Sequence, residues 1–286
     1  MGVNHGSDDA AFSFLPLPRR PGKPRQVGRT EVRGPFSSNL GPRAWADLLD
    51  LAGPFVDAFK FPGGSFALTP RSTVASIIDA AHQHDVEVSS GGFLEWVLMR
   101  APHLVPEFLA EARALGFDTI EVSTGFLTIR PADVVQLVRD VRQAGFKVKP
   151  EIHVRPGAGA YLVTPERLAA SGTTVLGPPI ELARRCLEAG ADMIMIESEA
   201  ITEQVEQWDL SVIPPIVDAL GLENVMFEAA EPEAFDWYIR HHGPDVNLFI
   251  DHSQVLLLES HRVGTWSDNA TWGRVVNYPP RDPAPS

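Results

Sequence analysis

Along most of the chain an amphipathic stretch ends at a glycine, and an apolar run follows within a few residues. Ala110–Leu115, Gly116 and Asp118-Thr-Ile-Glu-Val122 form one such unit. Val134–Ala144, Gly145 and Lys147-Val-Lys-Pro-Glu-Ile152 form the next. Gly190 precedes Asp192–Glu197, Gly221 precedes Asn224–Glu228, and Gly243 precedes Val246–Asp251. A glycine just past a helix end supplies the left-handed cap, and a short apolar run reads as a parallel strand buried on both faces. Val134, Val135, Leu137, Val138 and Val141 share one stripe of a 3.6-residue helix, which Pro131 opens where its missing N–H does no harm.

Earlier units fit the same plan. Strands are predicted at Gln26–Val32, Phe55–Phe61 and Val86–Ser90, with helices over 43–52 and 72–84; a further helix spans Ile180 to Ala189. Eight strands alternating with helices imply a parallel sheet with right-handed crossovers. The count points to a closed TIM-type (β/α)₈ barrel, with an open doubly wound sheet as the alternative. Residues 1–25, with four prolines among three arginines and one lysine, read as an extended arm; 26–278 read as the barrel and 279–286 as a Pro-rich tail.

The length of 286 residues suits one such domain. A net charge of −13 argues against nucleic-acid or anionic-membrane binding. A basic-then-apolar leader is not found at the start, and no apolar run reaches the roughly 20 residues that span a bilayer, so a cytoplasmic protein is expected. Cys186, the single cysteine, cannot form an internal disulfide and reads as a small buried apolar residue.

Candidate chemistry lies at the strand ends. Lys60, Ser90, Glu121, Glu151, Glu197, Glu228 and Asp251 follow one another at spacings of 30, 31, 30, 46, 31 and 23 residues. A βα unit of about 30 residues puts each at an equivalent height, and a barrel's catalytic face is at the C-terminal strand ends. The longest gap holds an insertion rich in glycine and proline after strand five. Four glutamates and an aspartate at one mouth repel unless cations neutralise them or some are protonated. Oxygen ligands of this type suit Mg²⁺; the alternative for any one of them is a helix cap or a pair with Lys60, Lys147 or Lys149.

In Lys149-Pro-Glu-Ile-His-Val-Arg155, Glu151 and His153 are two apart and share a face, which fits an acid/base or metal pair. The opposing reading packs His153 in the barrel wall and pairs Arg155 with a glutamate. His82, His84, His103, His241 and His242 fall on helices or their ends. Phe61-Pro-Gly-Gly-Ser65 and Ser89-Ser-Gly-Gly-Phe93 end strands as tight turns, with anion-holding N–H groups as the second reading.

Lys23-Pro-Arg25 with Gly28-Arg-Thr30, Val56–Lys60, Ser90-Gly-Gly-Phe-Leu-Glu95, Gly116–Gly125, Phe227-Glu-Ala229 and Gly243–Leu248 resemble phosphosulfolactate synthase, over about residues 12 to 275. Thr30–Pro35, Lys60–Phe66, Met193–Glu199 and Val246–Gln254 resemble more closely the branch containing the plant heat-stress-associated 32 kDa protein. The resemblance implies a barrel and Mg²⁺-dependent addition of sulfite to phosphoenolpyruvate, with cations holding the phosphate. His153, Arg155, Lys60 and Glu121 are the catalytic candidates, with His153 or Arg155 expected to take the proton-delivery or anion-holding role that lysine fills in the family. Arg33, Ser90, Gly91, Ser123, Asn247 and Asp251 become candidate contacts to a small-molecule acid, and Glu151, Glu197 and Glu228 candidate metal ligands. A homo-oligomer is compatible with this plan.

Cations of the synthases are changed at three places. Glu151-Ile-His-Val-Arg155 stands where a lysine pair follows Glu-Val-Gly, Ser198-Glu199 where an arginine follows the strand-six glutamate, and His261–Trp266 where an arginine-rich stretch follows strand eight. Weak phosphate binding is therefore expected. A non-catalytic interaction protein, or a metal-dependent aldolase or isomerase on an uncharged carbonyl compound, are the competing readings.

Overall fold

The computed structural model describes residues 11–12, 14–15, 17–18, 20–34, 40–125, 127–154, 175–203 and 205–265. Eight parallel strands close into a TIM-type (β/α)₈ barrel in sequence order. They are β1 (Thr30–Arg33), β2 (Ala58–Lys60), β3 (Glu87–Ser89), β4 (Thr119–Val122), β5 (Lys147–Ile152), β6 (Ile194–Ile196), β7 (Val225–Glu228) and β8 (Asn247–Asp251). Closure is made by β8 against β1, with Arg33 level with Asp251.

The helices are α1 (Pro42–Ala52), α2 (Arg71–Gln83), α3 (Phe93–Arg100), α4 (Val105–Leu115), α5 (Pro131–Gln143), α6 (Gly177–Glu188), α7 (Ile213–Leu220), α8 (Pro232–His242) and α9 (Val255–Val263). Alternation within each strand divides the core. Val32, Phe59, Val88, Ile120, Val148, Ile194, Phe227 and Leu248 point outward into one large cluster with the helix stripes. Met193, Met195, Met226 and Phe249 form a separate cluster inside the barrel. Cys186 is buried on α6, as expected.

Two boundaries differ from the sequence reading. Between β3 and β4 there are two helices, α3 and α4, separated by a short turn at Pro102–Leu104. Strand one begins at Thr30, not Gln26, because the preceding residues run beneath the barrel floor. There Gly28 N–H bonds the Asp245 carbonyl at 2.7 Å and Arg29 N–H the Asn247 side chain at 2.9 Å. The described end of the arm is docked on this floor. Arg25 pairs with Asp57 at 3.0 Å and bonds the Pro54 carbonyl at 2.7 Å, while Lys23 bonds the His84 carbonyl at 2.8 Å. Residues 266–286, including the predicted tail, lie outside the described residues. Among the described residues no helix is long and apolar enough to cross a membrane.

Candidate functional site

Contacts across the barrel show which side chains turn inward. Glu31 and Arg33 of β1, Lys60 of β2, Glu121 of β4, Lys149 and Glu151 of β5 and Glu228 of β7 all meet side chains from other strands. At the bottom of this set the Lys149 ammonium pairs with Glu31, from strands on opposite sides of the barrel, and lies 3.2 Å from Glu121. One step higher the Lys60 ammonium is 2.9 Å from Glu121 and 3.5 Å from Glu151. It also sits 4.4 Å from the centre of the Phe249 ring, a favourable approach of cation to ring face.

Lys60 and Glu151 hold each other charged. Burial opposes the Lys60 ammonium, but Glu121 and then Glu151 outweigh it and raise the amine well above its ordinary range. Burial likewise opposes the Glu151 carboxylate, yet Lys60, His153 and a hydrogen bond from Ser123 hold its pKa well below the usual value. The Ser123 hydroxyl is 2.7 Å from Glu151 Oε1 and 3.1 Å from Glu95 Oε2.

The β6–β7 side of the mouth is the reverse. Burial, then the Glu151 charge, pushes Glu197 up to about 7, although it shares a hydrogen bond with Glu228. Glu228 is also raised well above the usual carboxylate range, by burial and by Glu197, although Arg33 lies 3.2 Å away. Glu203 is also pushed up to about 7, by burial and by Glu228. Two carboxyl groups that bond each other share a proton, so this side carries fewer charges than acidic residues.

One ligand atom each from Glu151, His153 and Glu197 lies within 4.8 Å of the others. Among the described residues neither His153 ring nitrogen, both of them buried, has a hydrogen-bond partner, and Nε2 stands 3.5 Å from Glu151 Oε1. Orphaned imidazole nitrogens beside two carboxylates fit a divalent cation. Glu228, the third metal ligand read from the sequence, is instead engaged by Arg33 and Glu197.

Lys60, Glu121, Ser123, Glu151, His153, Glu197, Glu228, Arg33 and Asp251 are all at this end of the barrel. Asp251 is partly consumed as a cap: its carboxylate accepts from Ser253 N–H at 3.0 Å and from the Ser253 hydroxyl at 2.7 Å, with Arg33 Nε 3.9 Å away. Gly91 lies against Lys60, and its φ of +57° and the Phe61 carbonyl oxygen, 2.5 Å from where a Cβ would stand, demand glycine. Two candidates are corrected. Ser90 follows the inward Ser89 and so faces outward, lining an apolar cavity of about 150 Å³ with Phe66, Phe108 and Phe117 between α2 and α4. Asn247 is inward but at the opposite, floor end of β8, bonding Arg29 N–H and the carbonyls of Leu222 and Val225. Arg155 lies outside the described residues.

Four site residues were not singled out as functional candidates. Glu31 and Lys149 meet across 118 residues, a pairing that no local spacing announces. Glu95 sits on α3 within Ser90-Gly-Gly-Phe-Leu-Glu95, and its helical position gives no strand-end signal. Glu203 lies in the loop after β6, where an isolated bridge joins it to Glu199.

The family model described as (2R)-phospho-3-sulfolactate synthase (ComA) matches residues 18–268. The chain is 37% identical over 260 residues to Protein HEAT-STRESS-ASSOCIATED 32 of Arabidopsis thaliana, covering 87% of this chain and 91% of that protein. It is 30% identical over 275 residues to Phosphosulfolactate synthase of Methanothermobacter thermautotrophicus, covering 93% of this chain and 98% of that one.

Proposed function

Because the chain belongs to the (2R)-phospho-3-sulfolactate synthase family, we propose that it is a metal-dependent carbon–sulfur lyase of that type, working on phosphoenolpyruvate or a closely related small enol acid. The observation that carries this reading is one mouth holding both a buried ammonium and a metal-capable donor set: Lys60 stands 3.5 Å from Glu151, which groups with His153 and Glu197.

A divalent cation, the Mg²⁺ of the family resemblance, would be held by Glu151, His153 and Glu197, and when bound would stabilise negative charge growing on substrate oxygens. The protein supplies the rest. Sulfite sulfur forms a bond to the methylene carbon, and the alkene electron pair moves to the neighbouring carbon and into its carboxylate. That carbon takes a proton, for which the Lys60 ammonium is the placed donor; the proton of hydrogensulfite restores the balance. Glu121 holds the ammonium from below, 2.9 Å away. Met195, Met226 and Phe249 beneath the mouth keep water from the reacting carbon. Arg33, already paired with Glu228 and near Asp251, would have to exchange one of these carboxylates for the anionic end of the substrate.

The test follows phosphoenolpyruvate and sulfite by ³¹P NMR with Mg²⁺ or Mn²⁺ added, in ordinary and heavy water. A new phosphate resonance with one solvent hydrogen on the carbon bearing the phosphate is expected, and Lys60→Met abolishes it. Unchanged phosphoenolpyruvate in the presence of bound metal rejects the reaction. That outcome would favour the interaction-protein reading.

A further inference from the structure

A site built from carboxylates alone would suit Mg²⁺, but the group in this mouth contains an imidazole. His153 follows β5 on the same inward face as Glu151. Among the described residues neither of its buried nitrogens has a hydrogen-bond partner, a state that costs free energy unless a ligand meets them. Donors about 2.1 Å from a shared ion stand roughly 3 Å apart when adjacent and about 4.2 Å apart when opposite. The 3.5 Å between His153 Nε2 and Glu151 Oε1 falls inside that span. The 4.8 Å bound for the set with Glu197 needs only a small contraction. Glu228, which would have made the set all-oxygen, is turned to Arg33 at 3.2 Å.

We propose that His153 coordinates the metal through a ring nitrogen, and that this turns the site toward first-row transition-metal dications over Mg²⁺. Imidazole nitrogen is a softer donor than a carboxylate and binds such ions better, whereas Mg²⁺ loses water only reluctantly and gains little from nitrogen. The inference rests on the metal-dependent reading above but not on its substrate.

The full chain is titrated calorimetrically with Co²⁺ and with Mg²⁺, and the Mn²⁺-loaded protein is examined by pulsed EPR for directly bound ¹⁴N. The wild type shows nitrogen coupling and binds Co²⁺ more tightly than Mg²⁺ by roughly 100-fold or more. His153→Gln loses the coupling and weakens Co²⁺ by at least about tenfold, the loss that removing even an outer-shell partner produces. Its Mg²⁺ affinity changes far less, while Glu197→Gln weakens both ions. Absent coupling in the wild type, coupling that survives His153→Gln, or no ion bound at all overturns the inference. If His153→Gln does not fold, His153→Asn replaces it, and the wild-type spectrum alone still decides whether nitrogen is bound. Nitrogen coupling without turnover of phosphoenolpyruvate and sulfite would sink the proposed reaction and leave this inference standing; turnover without coupling would do the reverse.

Discussion

The two halves of the barrel interior are built from opposite materials. Beneath the mouth on the β1, β2, β4 and β5 side the floor is ionic, with Glu31, Lys149, Glu121 and Lys60 in contact. On the β6, β7 and β8 side it is Met193, Met195, Met226 and Phe249. Glutamates placed two residues further along their strands inherit the difference. Glu151, above Lys149 and beside Lys60, is held ionised. Glu197 and Glu228, above methionines, are pushed toward the protonated form. One residue type at one height thus acquires two proton states, because a buried charge survives only where a partner repays its desolvation. Phe249 belongs to both halves: its ring closes the apolar cluster and receives the Lys60 ammonium.

The ionic half is broken most severely at Lys149, which is 4% exposed and bridges Glu31 and Glu121. Lys149→Met leaves two buried carboxylates short of a partner, and a loss of about 3–5 kcal/mol is expected in urea unfolding at neutral pH. Part of that loss returns on acidification, when the carboxylates take up protons. The apolar half responds differently. Met195→Ala opens a cavity and costs about 2–5 kcal/mol; by loosening the burial beneath Glu197 it also lowers that carboxyl's raised pKa, whereas Met195→Leu costs less than about 1.5 kcal/mol.

Asn247 separates floor from mouth. Asn247→Ala strips partners from Arg29 N–H and from two carbonyls, so about 1–3 kcal/mol of stability is lost. Metal affinity measured by calorimetry stays at the wild-type value, because the site is at the other end of the strands.

The smallest effect is expected at Glu203. Its carboxyl is raised from the ordinary 4.5 to about 7, first by burial and then by Glu228. The folded state therefore binds the extra proton, and that stability is full below pH 4.5 and lost as pH rises through 7. Glu203→Gln cannot lose it, so between pH 5 and 8 its stability falls less steeply than that of the wild type. The gain at pH 8 is on the order of 1 kcal/mol, discounted for partial exposure.

Much of the barrel was legible because each unit repeats one physical device, a glycine cap followed by an apolar run. Gly116, Gly145 and Gly190 all have positive φ and all precede the strands expected of them. What spacing conveyed was height, not facing. Ser90 is one residue past an inward position and so turns to the helices, since strand side chains alternate. Asn247 has the right facing but sits four residues before Asp251, at the floor. The cross-barrel pair of Glu31 and Lys149 was out of reach, because closure of β1 on β8, not local sequence, brings those strands face to face. Likewise the site's division into ionised and protonated carboxyls depends on what lies beneath each one, a tertiary property.

That division is most directly measured by ¹³C NMR of metal-free protein labelled at the glutamate carboxyls, with Glu151→Gln and Glu197→Gln assigning the two resonances. The Glu151 carboxyl should remain ionised throughout the acid range in which the protein stays folded, while Glu197 titrates near 7. Two carboxyls that titrate together in the ordinary range near 4.5 would contradict the division of the barrel and the site built on it.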